Sequence, residues 1–140
     1  MEIEHVTINI VKNNQGKYLI TRSPKWKHWV FPGGHVENGE TYKKAAIREL
    51  EEEVKIVCKS PIYLMSGEIV NSPDFHRPAH FKYQVFLFEV SNPVITNDLR
   101  EVENYKWCSL LELRKLDVIA PSHYKLIFDR LEKEELSKDD

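Results

Sequence analysis

At 140 residues, with 41% apolar and 30% charged side chains, the chain is long enough to bury one core without disulfide staples and has the balance of an ordinary globular domain. A formal net charge of −2 excludes the strong cationic field that would draw polymeric nucleic acid or an anionic membrane surface. No stretch approaches the ~18 consecutive apolar residues needed to span a bilayer. The opening "MEIEHVTINI" lacks the basic-then-apolar order of a secretory leader, so the sequence predicts a cytoplasmic protein.

In chain order, "EHVTINIV" alternates, with Val6, Ile8 and Ile10 on one face, and reads as a strand. "NNQG" supplies turn chemistry and "KYLITR" resumes the alternation, so the two strands are expected to form a hairpin. "SPKWKHWVFPGG" follows as loop, a short extended piece around Trp29 to Phe31, and loop again. Pro32 holds Phe31 extended, and Gly33 and Gly34 permit close backbone approach. A helix is expected from about Thr41 to Val54, with Thr41 as N-cap and no capping box, because Lys44 stands where Glu or Gln would be. Its apolar stripe is Ile47, Leu50 and Val54, edged by Ala46.

"KIVCKSPIYLMSGEIV" reads as extended and broken near Pro61, "VNSPDFHRPAHF" as a surface loop, and "HFKYQVFLFEV" as a long β-branched and aromatic strand. A short strand at "YKWCSL" precedes a helix through "LLELRKL". Pro121 or Ser122 opens a last helix whose stripe of Tyr124, Ile127, Phe128 and Leu131 should pack on the core. The polar tail after Glu134 should fray from about residue 135. Cys58 and Cys108 lack CxxC spacing; buried free thiols are the expectation and a disulfide between them the alternative. The element order predicts one domain over residues 1–140, a mixed sheet with helices on both faces.

The chemistry concentrates in "FPGGHVENGETYKKAAIRELEEEVKI". Glu49, Glu51, Glu52 and Glu53 crowd like charges at helical neighbour spacing, which destabilises a helix unless solvent or a cation neutralises them. At about 100° per residue, Glu49, Glu52 and Glu53 share one arc beside the apolar stripe, whereas Glu51 points elsewhere. Three carboxylates converging from an anchored helix suit a hard divalent cation. A solvated acidic face is the alternative. Arg48 among the acids, and a glycine loop able to bring backbone oxygen to the same place, count against it.

Residues Gly34 to Ile56 resemble the Nudix box, Gly-x5-Glu-x7-Arg-Glu-apolar-x-Glu-Glu-x-Gly-apolar. Gly34, Glu40, Arg48, Glu49, Leu50, Glu52, Glu53 and Ile56 match it. With each residue type at about 7%, the six identity-fixed matches would arise by chance on the order of once in ten million windows. Lys55 departs, standing where the family usually ends the helix with glycine. The left-handed turn there should be strained, or the helix should run on, at about 1 kcal/mol.

The resemblance implies an α/β fold, the Nudix α/β/α sandwich with a mixed sheet. It implies a metal site for Mg²⁺ or Mn²⁺ built from Glu49, Glu52, Glu53 and the Gly34 carbonyl, with Arg48 and Glu40 orienting the ligands. It further implies hydrolysis, at its pyrophosphate, of a nucleoside diphosphate linked to another moiety, by attack of an activated water on phosphorus. ADP-ribose, dinucleoside polyphosphates and nucleoside triphosphates are all open as this small-molecule substrate. Glu52 ranks first as the base, with Glu53 behind it. Glu101, shortly before Trp107, is a further candidate for ligand or base, an exposed loop acid being its alternative. Candidates for substrate contact are Arg22, Trp26, Lys27 and His35 near the glycine loop, and Phe75 and Arg77 in "SPDFHRPAH". A catalytically silent Nudix-fold module that senses nucleotides or binds proteins is the competing reading, although this chain keeps every box acid. Monomer and homodimer are both open.

Overall fold

The alternation of the first residues becomes β1 (Ile3–Lys12), joined through Asn13 to Gly16 to β2 (Tyr18–Arg22) in an antiparallel pair. The computed structural model describes residues 2–22, 27–71, 78–91 and 104–138. After β2 come β3 (Gly33–His35), α1 (Tyr42–Val54), β4 (Ile62–Val70), β5 (His80–Glu89), β6 (Asn104–Cys108), the short α2 (Leu110–Leu113) and α3 (Pro121–Lys138). Among these residues the strands form one mixed sheet in the order β4-β5-β1-β2-β6, and β3 pairs with β1. The parallel pair runs in register from Ile3↔His80 to Lys12↔Glu89. β3 lies antiparallel on the other edge of β1, with Thr7 opposite Gly34 and Ile8 opposite Gly33.

The sheet buries both faces, as the near-continuous apolar run of β5 requires. On one face Ile10, Ile20, Val85 and Leu87 pack with Tyr124, Ile127, Phe128 and Leu131 of α3. On the other, Val11, Leu19, Phe86 and Phe88 pack with Ala46, Leu50 and Val54 of α1. The α/β architecture with a mixed sheet between helices is therefore as the sequence predicts. Trp29 is 9% exposed and belongs to the first core, and Cys58 and Cys108 are free thiols. No helix of the described residues is long and apolar enough to cross a membrane.

Two expectations need correction. The helix predicted through "LLELRKL" ends at Leu113, opened by a capping box in which Ser109 and Glu112 satisfy each other's backbone N–H groups. The C-terminal tail is helical beyond Glu134, α3 continuing to Lys138. Its end is tied down by the Tyr18 hydroxyl, 2.9 Å from Glu135 Oε1, and by the i,i+4 pair Arg130–Glu134. Of the two outcomes expected at Lys55, the strained turn is the one found: α1 ends there, and Lys55 itself adopts the left-handed conformation (φ 62°, ψ 32°).

Candidate active site

Helix α1 starts where the sequence predicts: Thr41 is extended, and its hydroxyl accepts from Lys44 N at 3.1 Å. Burial of Ala46, Leu50 and Val54 against the sheet fixes the helix rotation. That rotation leaves Glu51 exposed and turns Glu49 and Glu53 toward β3. The Gly33 N–H donates to Glu53 Oε2 at 3.1 Å. A Cβ on Gly34 would lie 2.4–2.6 Å from the carboxylate atoms of Glu49. A Cβ on Gly33 would lie 2.1 Å from the Thr7 carbonyl oxygen. The two glycines thus let backbone, carboxylate and β1 meet at distances that a side chain would forbid.

Arg48 joins the acids. Its Nε donates to Glu40 Oε2 at 2.8 Å and its Nη2 to Glu40 Oε1 at 2.9 Å, a bidentate pair. Nη1 donates to Glu49 Oε1 at 2.9 Å and to Glu52 Oε2 at 3.2 Å. Nη2 also reaches the His35 carbonyl at 3.0 Å, fastening the end of β3. The guanidinium and the backbone N–H of Glu37 hold the Glu40 carboxyl at about 2, well below the usual carboxylate range. The same carboxylates, Glu40 first, hold Arg48 firmly protonated against the opposing effect of burial. One cation therefore offsets the repulsion that the sequence raises.

Among the described residues, no three His, Cys, Asp or Glu side chains stand close enough to enclose a metal ion; Glu49 and Glu52 both face Arg48 instead. The donor set still fits a divalent cation. It consists of hard oxygen donors on one helical arc, with the Glu49 carboxylate brought against a glycine backbone more closely than any Cβ would allow.

The substrate-contact candidates are dispersed. His35 points its ring at Glu4, with Nε2 3.1 Å from Oε1 and the side chain 64% exposed. Lys27 is exposed, and the Arg22 guanidinium lies 5.3 Å from the Trp29 ring centroid, a packing contact. Trp26, Phe75, Arg77 and Glu101 lie outside the described residues.

Sequence reasoning missed two features. The first is an apolar cavity of about 130 Å³ lined by Val6, Ile8, Phe81, Tyr83, Ile119 and Tyr124. One of its walls is Tyr124, whose hydroxyl accepts from Phe31 N at 3.0 Å and whose pKa is raised by burial and, less strongly, by Glu53. The buried Tyr83 hydroxyl has no hydrogen-bond partner. The alternating apolar residues of β1 and β5 were the available signal, but only strand pairing brings them together. The second is Asn9, fully buried in β1, whose side chain bonds to α1.

Comparison with known proteins gives the family and the fold. The family model for the NUDIX domain matches residues 4–129. An ADP-ribose pyrophosphatase of Methanocaldococcus jannaschii is 32% identical over 101 residues, 72% of this chain and 56% of that protein. An asymmetrical bis(5'-nucleosyl)-tetraphosphatase of Caenorhabditis elegans is 34% identical over 64% of each chain. An 8-oxo-dGTP diphosphatase of Haemophilus influenzae is 31% identical over 90% of each. The chain thus spans less than two thirds of the length of the first two relatives and most of the third. The crystal structure of a MutT protein from Methanosarcina mazei superposes with a TM-score of 0.78 over 95% of each chain at 20% identity, a likeness of fold.

Proposed function

Because this chain belongs to the NUDIX domain family, matched over residues 4–129, we propose that it is a divalent-metal-dependent pyrophosphohydrolase. Its substrate is a nucleoside diphosphate linked to another moiety, and its reaction is attack of water on phosphorus. The observation that carries this reading is the tying of α1's acids to the glycine strand: Arg48 links Glu49 and Glu52 to the His35 carbonyl, and the Gly33 N–H holds Glu53.

Glu49, Glu52, Glu53 and the Gly34 carbonyl would hold Mg²⁺ or Mn²⁺. Such an ion would neutralise phosphate charge that the carboxylates alone would repel, and would lower the pKa of an attacking water. The protein's part is positioning. Arg48, fixed by Glu40, holds Glu49 and Glu52 in place. Glu52, with its side chain 57% exposed, is the first candidate to accept the water's proton; Glu53 is next, and Glu101 remains a candidate outside the described residues. The apolar cavity beside Tyr124 is the natural seat for a base, since its walls are apolar. Arg22, Lys27 and His35 stay candidates for phosphate contact, as do Trp26, Phe75 and Arg77 for substrate contact. We place the reaction in the cytoplasm.

The test is a panel of ADP-ribose, dinucleoside polyphosphates, nucleotide sugars, and normal and oxidised nucleoside triphosphates, assayed with Mg²⁺, with Mn²⁺ and with EDTA. At least one should release mono- or diphosphate only when metal is present. Glu52→Gln should lower that rate about 10²–10⁴-fold, the range expected for a general base. Hydrolysis that persists in EDTA or in Glu52→Gln defeats the mechanism. Tight metal-dependent nucleotide binding with no turnover across the panel would indicate a silent nucleotide-sensing module instead.

A further inference from the structure

Asn9 sits at the middle of β1, fully buried, where a β-branched apolar residue would suit a strand better than a side-chain amide. Its Oδ1 is buried without a hydrogen-bond partner, an arrangement that disfavours the fold locally. What the residue does instead is join three segments. Its backbone N–H donates to the Pro32 carbonyl at 2.8 Å, immediately before Gly33 and Gly34. Its Nδ2 donates to the Ala46 carbonyl at 3.0 Å. Ala46 lies three residues before Glu49 and seven before Glu53, on the same side of α1 at successive turns.

We propose that Asn9 is a positioning residue that sets the height and register of α1 over the Gly33–Gly34 backbone and thereby sets the affinity of the carboxylates for a divalent cation. This rests on the reading of Glu49, Glu52 and Glu53 as the cation's ligands. The apolar contacts of Ala46, Leu50 and Val54 hold α1 to the sheet, but apolar contact is non-directional and tolerates sliding. A hydrogen bond to a single helix carbonyl does not. The tolerance here is small, because the Gly34 Cα hydrogens already face the Glu49 carboxylate at a separation no Cβ could occupy. The same strand holds the other side of the gap, with Thr7 and Ile8 registered on Gly34 and Gly33. Asn9 therefore couples both walls of the site from beneath.

The experiment measures Mn²⁺ binding by electron paramagnetic resonance on nucleotide-free protein, beside thermal midpoints in EDTA, for wild type, Asn9→Val, Asn9→Thr and the packing control Val11→Ala. Asn9→Val, which removes the side-chain donor and keeps an apolar fill, should bind Mn²⁺ about 10-fold more weakly. On the best nucleotide its kcat should fall about 10–100-fold with KM within about twofold, as displacement of reacting groups by a fraction of an ångström predicts. Asn9→Thr, which keeps a hydroxyl donor, should fall between it and wild type, and is the variant read if Asn9→Val does not fold. Val11→Ala should lower the thermal midpoint while leaving Mn²⁺ affinity unchanged. Wild-type Mn²⁺ affinity in a folded Asn9 variant, or an equal weakening in Val11→Ala, overturns the proposal. Wild type that binds Mn²⁺ yet hydrolyses nothing counts against the hydrolase reading alone.

Discussion

Arg48 and Glu40 meet through two parallel hydrogen bonds, 2.8 Å and 2.9 Å long, with both side chains largely shielded from solvent. The planar fork of the guanidinium fits the carboxylate edge to edge, which a lysine could not do. The pair leaves Nη1 free to reach Glu49 and Glu52. Glu40 thus acts on the acidic cluster through Arg48, from eight residues upstream.

This pairing gives the protein a specific acid response. The Glu40 carboxyl titrates at about 2 in the folded chain against 4.5 as a reference. A carboxyl with a depressed folded value binds protons more readily when unfolded. Its contribution is therefore complete above about pH 4.5 and is lost as pH falls from there toward 2. Glu40→Gln should lower the thermal midpoint at pH 7, and the gap to wild type should close across that interval. A gap that stays constant from pH 7 to pH 2 would show that the ionised carboxylate is not what stabilises the loop.

The two glycines of β3 should respond differently to the same added methyl group. At Gly34 the obstacle is the far end of the flexible Glu49 side chain, so the carboxylate can swing aside. Gly34→Ala should fold with its thermal midpoint within a few degrees of wild type, yet lose on the order of 10²-fold in turnover through misplacement of Glu49. At Gly33 the obstacle is the Thr7 backbone carbonyl in the central strand, which cannot move alone. Gly33→Ala should destabilise by about 1–3 kcal/mol, as overpacking does, whatever happens to activity. Denaturant melts and a turnover assay on both variants check the contrast; equal stability losses would contradict it.

Local signals were legible in the sequence and pairings were not. The cap at Thr41, the stripe through Leu50 and Val54, the first hairpin, the long β5 and the face of α3 carrying Tyr124 and Phe128 all express periods confined to a dozen residues. Parallel pairing of β1 with β5 joins Ile8 to Val85, and no local pattern names such a partner. The cavity between Val6, Ile8, Phe81 and Tyr83 depends on that pairing and was hidden with it. Arg48 among the acids was visible, but its contact with the His35 carbonyl required the loop path. Asn9 went unremarked, because its meaning lies in Ala46, thirty-seven residues away. The tail read as frayed because its anchor, Tyr18, lies in β2.

Lys55 is the place where the box pattern is broken, and the structure shows two opposed effects there. Its backbone is left-handed, φ 62° and ψ 32°, which costs a non-glycine residue about 1–2 kcal/mol. Its N–H still closes the helix on the Glu51 carbonyl at 3.0 Å, so the turn survives. The Nζ lies 3.0 Å from the Glu52 carbonyl, where a cation at a helix C-terminus contributes about 0.3–1 kcal/mol. Strain exceeds the charge effect on these magnitudes. Lys55→Gly should therefore raise the thermal midpoint by about 1–3 °C. Lys55→Met, which keeps the strained backbone and drops the ammonium, should lower it by a similar amount. Both should leave turnover within about twofold, because Lys55 is not among the oxygen donors. A midpoint that falls in Lys55→Gly would mean that the ammonium cap outweighs the backbone strain.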